Sequence, residues 1–220
     1  MSAVELACVG AGYWGKNLVR VFRDLPDVNL RQVCDADPAI RAAVERQYPG
    51  VATSADYDAL LGDEALDAVV LAVPAAHHYD MARQALERGK HVYVEKPMTL
   101  ATADAAQLVA LADARERVLM VGHLLEYHPA VAMLRALVQA GELGDIYYLY
   151  SQRVNLGIVR RDENALWSLA PHDISVILHL LGQEPDAVSA RGECYLQPGI
   201  EDVVFVNLHF ADGKMAQLQL

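Results

Sequence analysis

The feature that most limits what this chain can become is the hexapeptide Gly10-Ala11-Gly12-Tyr13-Trp14-Gly15. It follows an apolar run containing Val4, Leu6, Ala7, Cys8 and Val9, and an acid, Asp35, stands twenty residues beyond its last glycine. Alone, a G-x-G-x-x-G string is an ordinary glycine-rich turn. Between a strand and a helix, with an acid closing the next strand, it meets the contextual requirements of a dinucleotide site. Gly10, Gly12 and Gly15 let the backbone turn tightly and approach a pyrophosphate. The helix entered through Tyr13 and Trp14 offers its first N–H groups and the positive end of its dipole to the phosphates.

The surrounding pattern sets the fold class. Apolar strand-like runs at 4–9, 28–34, 67–73, 90–94 and 117–122 alternate with amphipathic stretches at 13–24, 37–48, 77–89 and 101–115. This rhythm predicts an α/β domain over 1–122, a Rossmann-type doubly wound parallel sheet covered by helices on both faces. Pro74 and Pro97 fall at the carboxyl ends of two of these strands, where open α/β sheets place their ligands. From residue 123 the pattern changes. A helix is expected over 130–140, then a stretch rich in tyrosine and β-branched residues over 145–154, a helix over 172–181 opened by Pro171, and strands near 187–197, 201–210 and 215–220. Ala211-Asp212-Gly213-Lys214 reads as a hairpin turn. Residues 123–220 are therefore expected to form an α+β domain with a largely antiparallel sheet, which the chain leaves in mid-strand at Leu220.

Composition excludes several classes. With 54% hydrophobic and 21% charged residues, the chain is suited to a globular protein. A formal charge of -11 and the lack of a basic stretch argue against a nucleic-acid partner. No run approaches the ~20 apolar residues of a membrane span, and no basic leader precedes the first strand. The three cysteines, Cys8, Cys34 and Cys194, fit neither a disulfide framework nor a zinc spacing. A cytoplasmic protein without a bound metal is the expectation.

Among single residues, Asp35 ends the second strand, where its carboxylate can accept from both ribose hydroxyls and repel a 2′-phosphate, favouring NAD over NADP. Asp37 is read as the cap of the helix that begins at Pro38. Glu95-Lys96-Pro97 closes another strand, and Pro97 biases Lys96 toward extended backbone. A lysine held beside a cofactor can take part in proton transfer, whereas most lysines are solvated. His77 and His78 are adjacent and point apart, which argues against a two-histidine metal site. One is expected to face the cofactor and the other solvent. His172 can serve as acid or base near neutral pH, and Asp173 is expected to sit at the start of its helix. His123 and His128 receive no metal role.

Gly10 through Asn17, Gly89-Lys90-His91-Val92 through Glu95-Lys96-Pro97, and Pro171-His172-Asp173 together resemble the glucose–fructose oxidoreductase/inositol dehydrogenase family (Gfo/Idh/MocA), over essentially the whole chain. Gly122 through Pro129 and Trp167 through Asp173 are similar to its branch acting on nucleotide-linked amino sugars, the UDP-N-acetylglucosamine or UDP-N-acetylglucosaminuronate 3-dehydrogenases. The resemblance implies bound NAD and hydride exchange with a sugar carbinol carbon. It puts Lys96 near the reacting hydroxyl with His172 as its acid/base partner, and the His78 position beside the nicotinamide. It brings Asn155, Arg160 and Arg161 toward the substrate, where an arginine can grip a carboxylate or phosphate in bidentate fashion. It also implies a homo-oligomer formed through the second sheet. Two departures stand out. Ser168 occupies the place, four residues before the histidine, where many relatives carry aspartate, and relatives run well past this chain's length. A catalytically silent NAD-binding sensor or scaffold, and an inositol-type polyol dehydrogenase, are the alternative readings.

Overall fold

The computed structural model describes residues 3–154 and 163–220. The chain divides into two compact units, Met1–Gly122 and His123–Leu220.

The first unit runs β1 (Val4–Val9), α1 (Gly15–Asp24), β2 (Val28–Cys34), α2 (Pro38–Gln47), β3 (Ala52–Ser54), α3 (Tyr57–Leu61), β4 (Ala68–Leu71), α4 (His78–Glu87), β5 (His91–Val94), α5 (Thr102–Ala114) and β6 (Leu119–Val121). Its six strands pair in the order β3-β2-β1-β4-β5-β6, every pair parallel. The continuous apolar runs follow from burial on both faces. Alternate residues of the central strands belong to different cores. Ala7, Val9, Val69 and Leu71 pack with Leu86 and Leu108 on one face, while Leu6, Cys8 and Val70 pack with Val19, Val33 and Val44 on the other. Burial pushes the Cys8 thiol up to about 12, so it behaves as a small hydrophobe. Strand order reverses between β1 and β4, and the loops leaving the carboxyl ends of these two strands flank the crevice where this topology binds ligands. The short β3 and α3 have no counterpart in the sequence reading. Three partly polar edge residues carry too little periodicity to mark a strand.

The second unit contains α6 (Pro129–Gln139), β7 (Tyr148–Gln152), α7 (Ala165–Leu181), β8 (Ala187–Glu193), β9 (Val203–His209) and β10 (Met215–Gln219). The four strands form a mixed sheet in the order β7-β10-β9-β8, antiparallel except for the parallel β7–β10 ladder. Val204, Val206, Leu208, Ala216 and Leu218 turn one face of this sheet toward α7, packing with Ala170 and Ile177. The β9–β10 turn is the expected one, with Gly213 at φ 86°.

Helix α7 corrects the sequence reading. It begins at Ala165, not at residue 172, and Pro171 lies inside it. The Asn164 side chain caps it by accepting from Trp167 N (3.1 Å). Pro171 has no N–H to give the preceding turn, and burial of Ala170, Ser175, Ile177 and Leu180 carries the helix through. Proline favours a first turn, so sequence logic placed the start too late. Asp173 is accordingly not an end-of-helix residue.

Candidate functional site

The glycine loop is built from three glycines with different duties. Gly10 has φ +83°, and a Cβ there would stand 2.5 Å from the Ala72 carbonyl oxygen. A Cβ on Gly15 would stand 2.0 Å from the Gly10 carbonyl oxygen. Both glycines let backbone touch backbone. A Cβ on Gly12 would meet nothing within 4 Å, so this glycine serves no internal packing and keeps the outer side of the loop clear. Helix α1 then starts at Trp14 with no side-chain cap and no acid in its first turn. No acid of the helix's own first turn occupies its dipole end. An open glycine face and an uncapped helix start fit a pyrophosphate.

Asp35 is fixed from several sides. Its Oδ2 accepts from Ala11 N (2.7 Å) and its Oδ1 from Asp37 N (2.9 Å), while Arg41 Nη1 donates to the Asp35 carbonyl (2.7 Å). The carboxylate thereby touches the glycine loop itself, where the remaining lone pairs can meet ribose hydroxyls. Asp37 caps α2 by accepting from Ala39 N (2.7 Å).

On the other side of the crevice, Pro74 precedes a short 3-10 turn, Ala75–His77, that leads into α4. His77 is exposed and His78 is 1% exposed. The ring nitrogens of His78 lie on two main-chain carbonyls, Nδ1 at 2.7 Å from Pro97 O and Nε2 at 2.9 Å from Val73 O. A neutral imidazole carries one N–H, so both contacts are hydrogen bonds only when both nitrogens carry hydrogen. His78 clasps the loop after β4 to the loop after β5. It thereby ties together the two walls of the crevice beside which the resemblance places it.

Lys96 follows β5, half-buried, between buried Glu95 and a cis-linked Pro97. The Glu95 carboxylate accepts from three donors: Trp14 Nε1 (2.9 Å) and Tyr93 Oη (3.3 Å) on Oε1, and Lys96 N (3.3 Å) on Oε2. Gly122, at the end of β6, makes room for this group. A Cβ there would come within 2.7 Å of Tyr93 Oη and 3.0 Å of Glu95 Oε1. The structure thus joins Gly10, Gly12, Tyr13, Trp14, Gly15, Asp35, Pro74, His78, Glu95 and Lys96 along the carboxyl edge of one sheet.

In the second unit, His172 is half-buried on α7, one turn beyond Ser168. Asp173 is buried and binds β7 and its exit, accepting from Ser151 Oγ (2.7 Å) and Arg153 Nε (2.6 Å). No sequence signal pointed to this pairing. His128 caps α6 by accepting from Ala130 N (3.1 Å). His123, Glu126, Pro171, Ser175 and His179 line an open cleft of about 370 Å³. Asn155, Arg160 and Arg161 lie outside the described residues. Among the described residues, no group of three or more His, Cys, Asp or Glu side chains is placed to hold a metal ion, and no helix is long and apolar enough to cross a membrane.

A glycine loop, an acid at the end of β2 and a lysine at the end of β5, all on a 3-2-1-4-5-6 parallel sheet, define a nicotinamide-dinucleotide domain, here followed by a mixed-sheet α+β unit. Comparison with known proteins agrees. Residues 4–123 match the oxidoreductase family NAD-binding Rossmann fold, and residues 131–220 match the GFO/IDH/MocA C-terminal domain. The chain belongs to the Gfo/Idh/MocA oxidoreductase family, and its first unit is an NAD-binding domain. It is 36% identical over 198 residues to UDP-N-acetylglucosamine 3-dehydrogenase of Acidithiobacillus ferrooxidans, covering 87% of this chain and 59% of that protein. It is 29% identical to scyllo-inositol 2-dehydrogenase (NAD(+)) of Bacillus subtilis, covering 98% and 66%. Among solved structures, GenD2 from gentamicin A biosynthesis in complex with NAD superposes with a TM-score of 0.92 at 28% identity, covering 100% of this chain and 66% of that one. The chain spans about three-fifths of the length of the curated relatives it matches.

Proposed function

We propose that this protein oxidises a ring hydroxyl, at C3, of a nucleotide-linked amino sugar, with NAD as the hydride acceptor. The observation that carries the reading is Lys96, half-buried at the carboxyl end of β5, with its backbone bonded to a carboxylate that also holds the glycine loop. A lysine so placed stands beside the cofactor domain's reactive edge. The identity to a UDP-N-acetylglucosamine 3-dehydrogenase supports the sugar class and the carbon.

NAD, when bound, supplies the electron sink. The chain's own residues do the rest. The glycine loop and α1 take the pyrophosphate, and Asp35 takes the adenosine ribose. His78 holds the loops after β4 and β5 in register. Lys96, with His172 assigned as its acid/base partner, takes the hydroxyl proton as the carbinol carbon gives up its hydrogen as hydride and becomes a carbonyl. Asn155, Arg160 and Arg161 are assigned to the substrate, the arginines to its anionic groups.

The test is turnover with UDP-N-acetylhexosamines, followed by the absorbance of reduced nicotinamide. Lys96→Ala should lower kcat by about a hundredfold or more while NAD still binds. Reduced cofactor appearing with inositol, and not with any nucleotide sugar, would favour the polyol reading, to which the scyllo-inositol relative lends support. Bound NAD with no turnover of either class would favour a silent sensor.

The reading also includes a homo-oligomer. The sheet face turned away from α7 exposes Tyr148, Tyr150, Phe205 and Met215, a composition suited to a subunit contact.

A further inference from the structure

Trp14 is a large residue at the start of α1, and it is 43% exposed. Its one polar atom is nevertheless spent on a group eighty-one positions away, Glu95 Oε1. The acceptor is a buried carboxylate whose other oxygen takes the backbone N–H of Lys96. A buried carboxylate left without donors is costly, so these contacts hold together or loosen together. Tyr93 Oη supplies a third donor from β5, and the bare Cα of Gly122 leaves the carboxylate its space. The cofactor loop and the backbone of the candidate catalytic lysine are therefore two ends of one hydrogen-bonded unit.

We infer that Glu95 is a positioning residue: it couples the pose of the glycine loop, through Trp14, to the pose of Lys96, so that seating of the dinucleotide and alignment of the lysine are a single event. The part concerning Lys96 rests on the dehydrogenase reading above. The loop part rests only on NAD binding. Trp14→Phe removes the indole N–H and keeps an aromatic ring, while Glu95→Gln keeps the shape and removes the charge.

The experiment is a double-mutant cycle on Trp14→Phe and Glu95→Gln in the full chain. NAD and NADH affinity are read by titration, kcat and KM by sugar turnover, and folding by the unfolding midpoint. Each single variant should weaken NAD binding by about tenfold, the worth of a hydrogen bond to a charged acceptor. The double variant should bind no more weakly than the worse single one. In turnover, both should lower kcat as well as raise the KM for NAD, because Lys96 moves with the loop. Gly122→Ala, which crowds the same carboxylate from β6, should reproduce the pattern. Additive losses in affinity, or a lowered unfolding midpoint with unchanged affinity, would overturn the coupling. If no sugar is oxidised by the unmodified protein, the dehydrogenase reading fails, while the affinity cycle still decides whether Trp14 and Glu95 act as one.

Discussion

Gly12 and Gly15 stand three residues apart and answer differently to a methyl group. At Gly15 the added carbon would fall 2.0 Å from the Gly10 carbonyl oxygen, a backbone atom that has no freedom to swing aside. Gly15→Ala should therefore destabilise the first unit by about 3 kcal/mol, at the upper end of overpacking costs, visible in denaturant unfolding. At Gly12 the carbon meets no protein atom, so Gly12→Ala should leave the unfolding midpoint where it is. It should instead weaken NAD by about tenfold, because the methyl stands on the side left clear for the pyrophosphate. The two measurements separate a glycine needed by the fold from one needed by the ligand. Asp35 combines similar duties within a single side chain, its two carboxylate oxygens tying the glycine loop at Ala11 N to the turn at Asp37 N.

At the scale of elements, α7 has the most to explain. It tolerates an internal proline, carries His172, and is fastened at its start and near its middle. Asn164 caps it and also donates through Nδ2 to Glu201 Oε2 (2.8 Å), while Ala165 N donates to the Glu201 carbonyl (2.9 Å). The Asn164 hydrogen bond is the largest cause holding the Glu201 carboxyl below the usual carboxylate range. Near the middle, Asp173 binds Ser151 and Arg153. Asn164→Ala removes the cap and should cost about 1–2 kcal/mol, a fall of about 2–8 °C in the unfolding midpoint without a change in NAD affinity. Asn164→Ser, which keeps a capping oxygen and puts no second carboxylate against Glu201, should recover most of the loss. A cost that Asn164→Ser shares in full would show that the link to Glu201, and not the cap, matters.

For the molecule as a whole, the acidic chain and the exposed sheet face are the properties that concern its partners. Tyr148, Tyr150, Phe205 and Met215 share one face of the four-stranded sheet, and their alternating neighbours pack toward α7. A stable subunit contact buries about 1,600 Å² in total, and a four-stranded face rich in large side chains is suited to supply it. Light scattering should give a mass that is a multiple of the chain's 24.1 kDa. Tyr150→Asp together with Phe205→Asp should reduce it to one chain, with the spectrum of the folded protein retained. A single-chain mass for the unmodified protein would remove the oligomer from the reading.

Much of this was written in local sequence. The parallel sheet could be read because strands buried on both faces are apolar at every position, and helices between them repeat their apolar residues at a fixed period. The positions of the glycine loop, Asp35 and Lys96 could be read because order and spacing along the chain mark them, each at or just past the carboxyl end of a strand. The start of α7 was misread because proline locally favours a first turn over a helix interior, and only packing against the second sheet offsets its cost inside the helix. Edge elements such as β3 were too short to leave a pattern. The contacts that join the site are of another kind. Trp14 with Glu95, His78 with the carbonyls of Val73 and Pro97, and Asp173 with Arg153 pair residues that no periodicity relates. The sequence by itself determined most of the longer elements, their class and the dinucleotide loop, since these follow from short-range sterics and the burial of repeating apolar faces. Only the tertiary structure decided which carboxylate holds the loop, which histidine is a clasp and which aspartate is an anchor, since buried polar groups take whatever partner the packed chain brings within hydrogen-bonding reach.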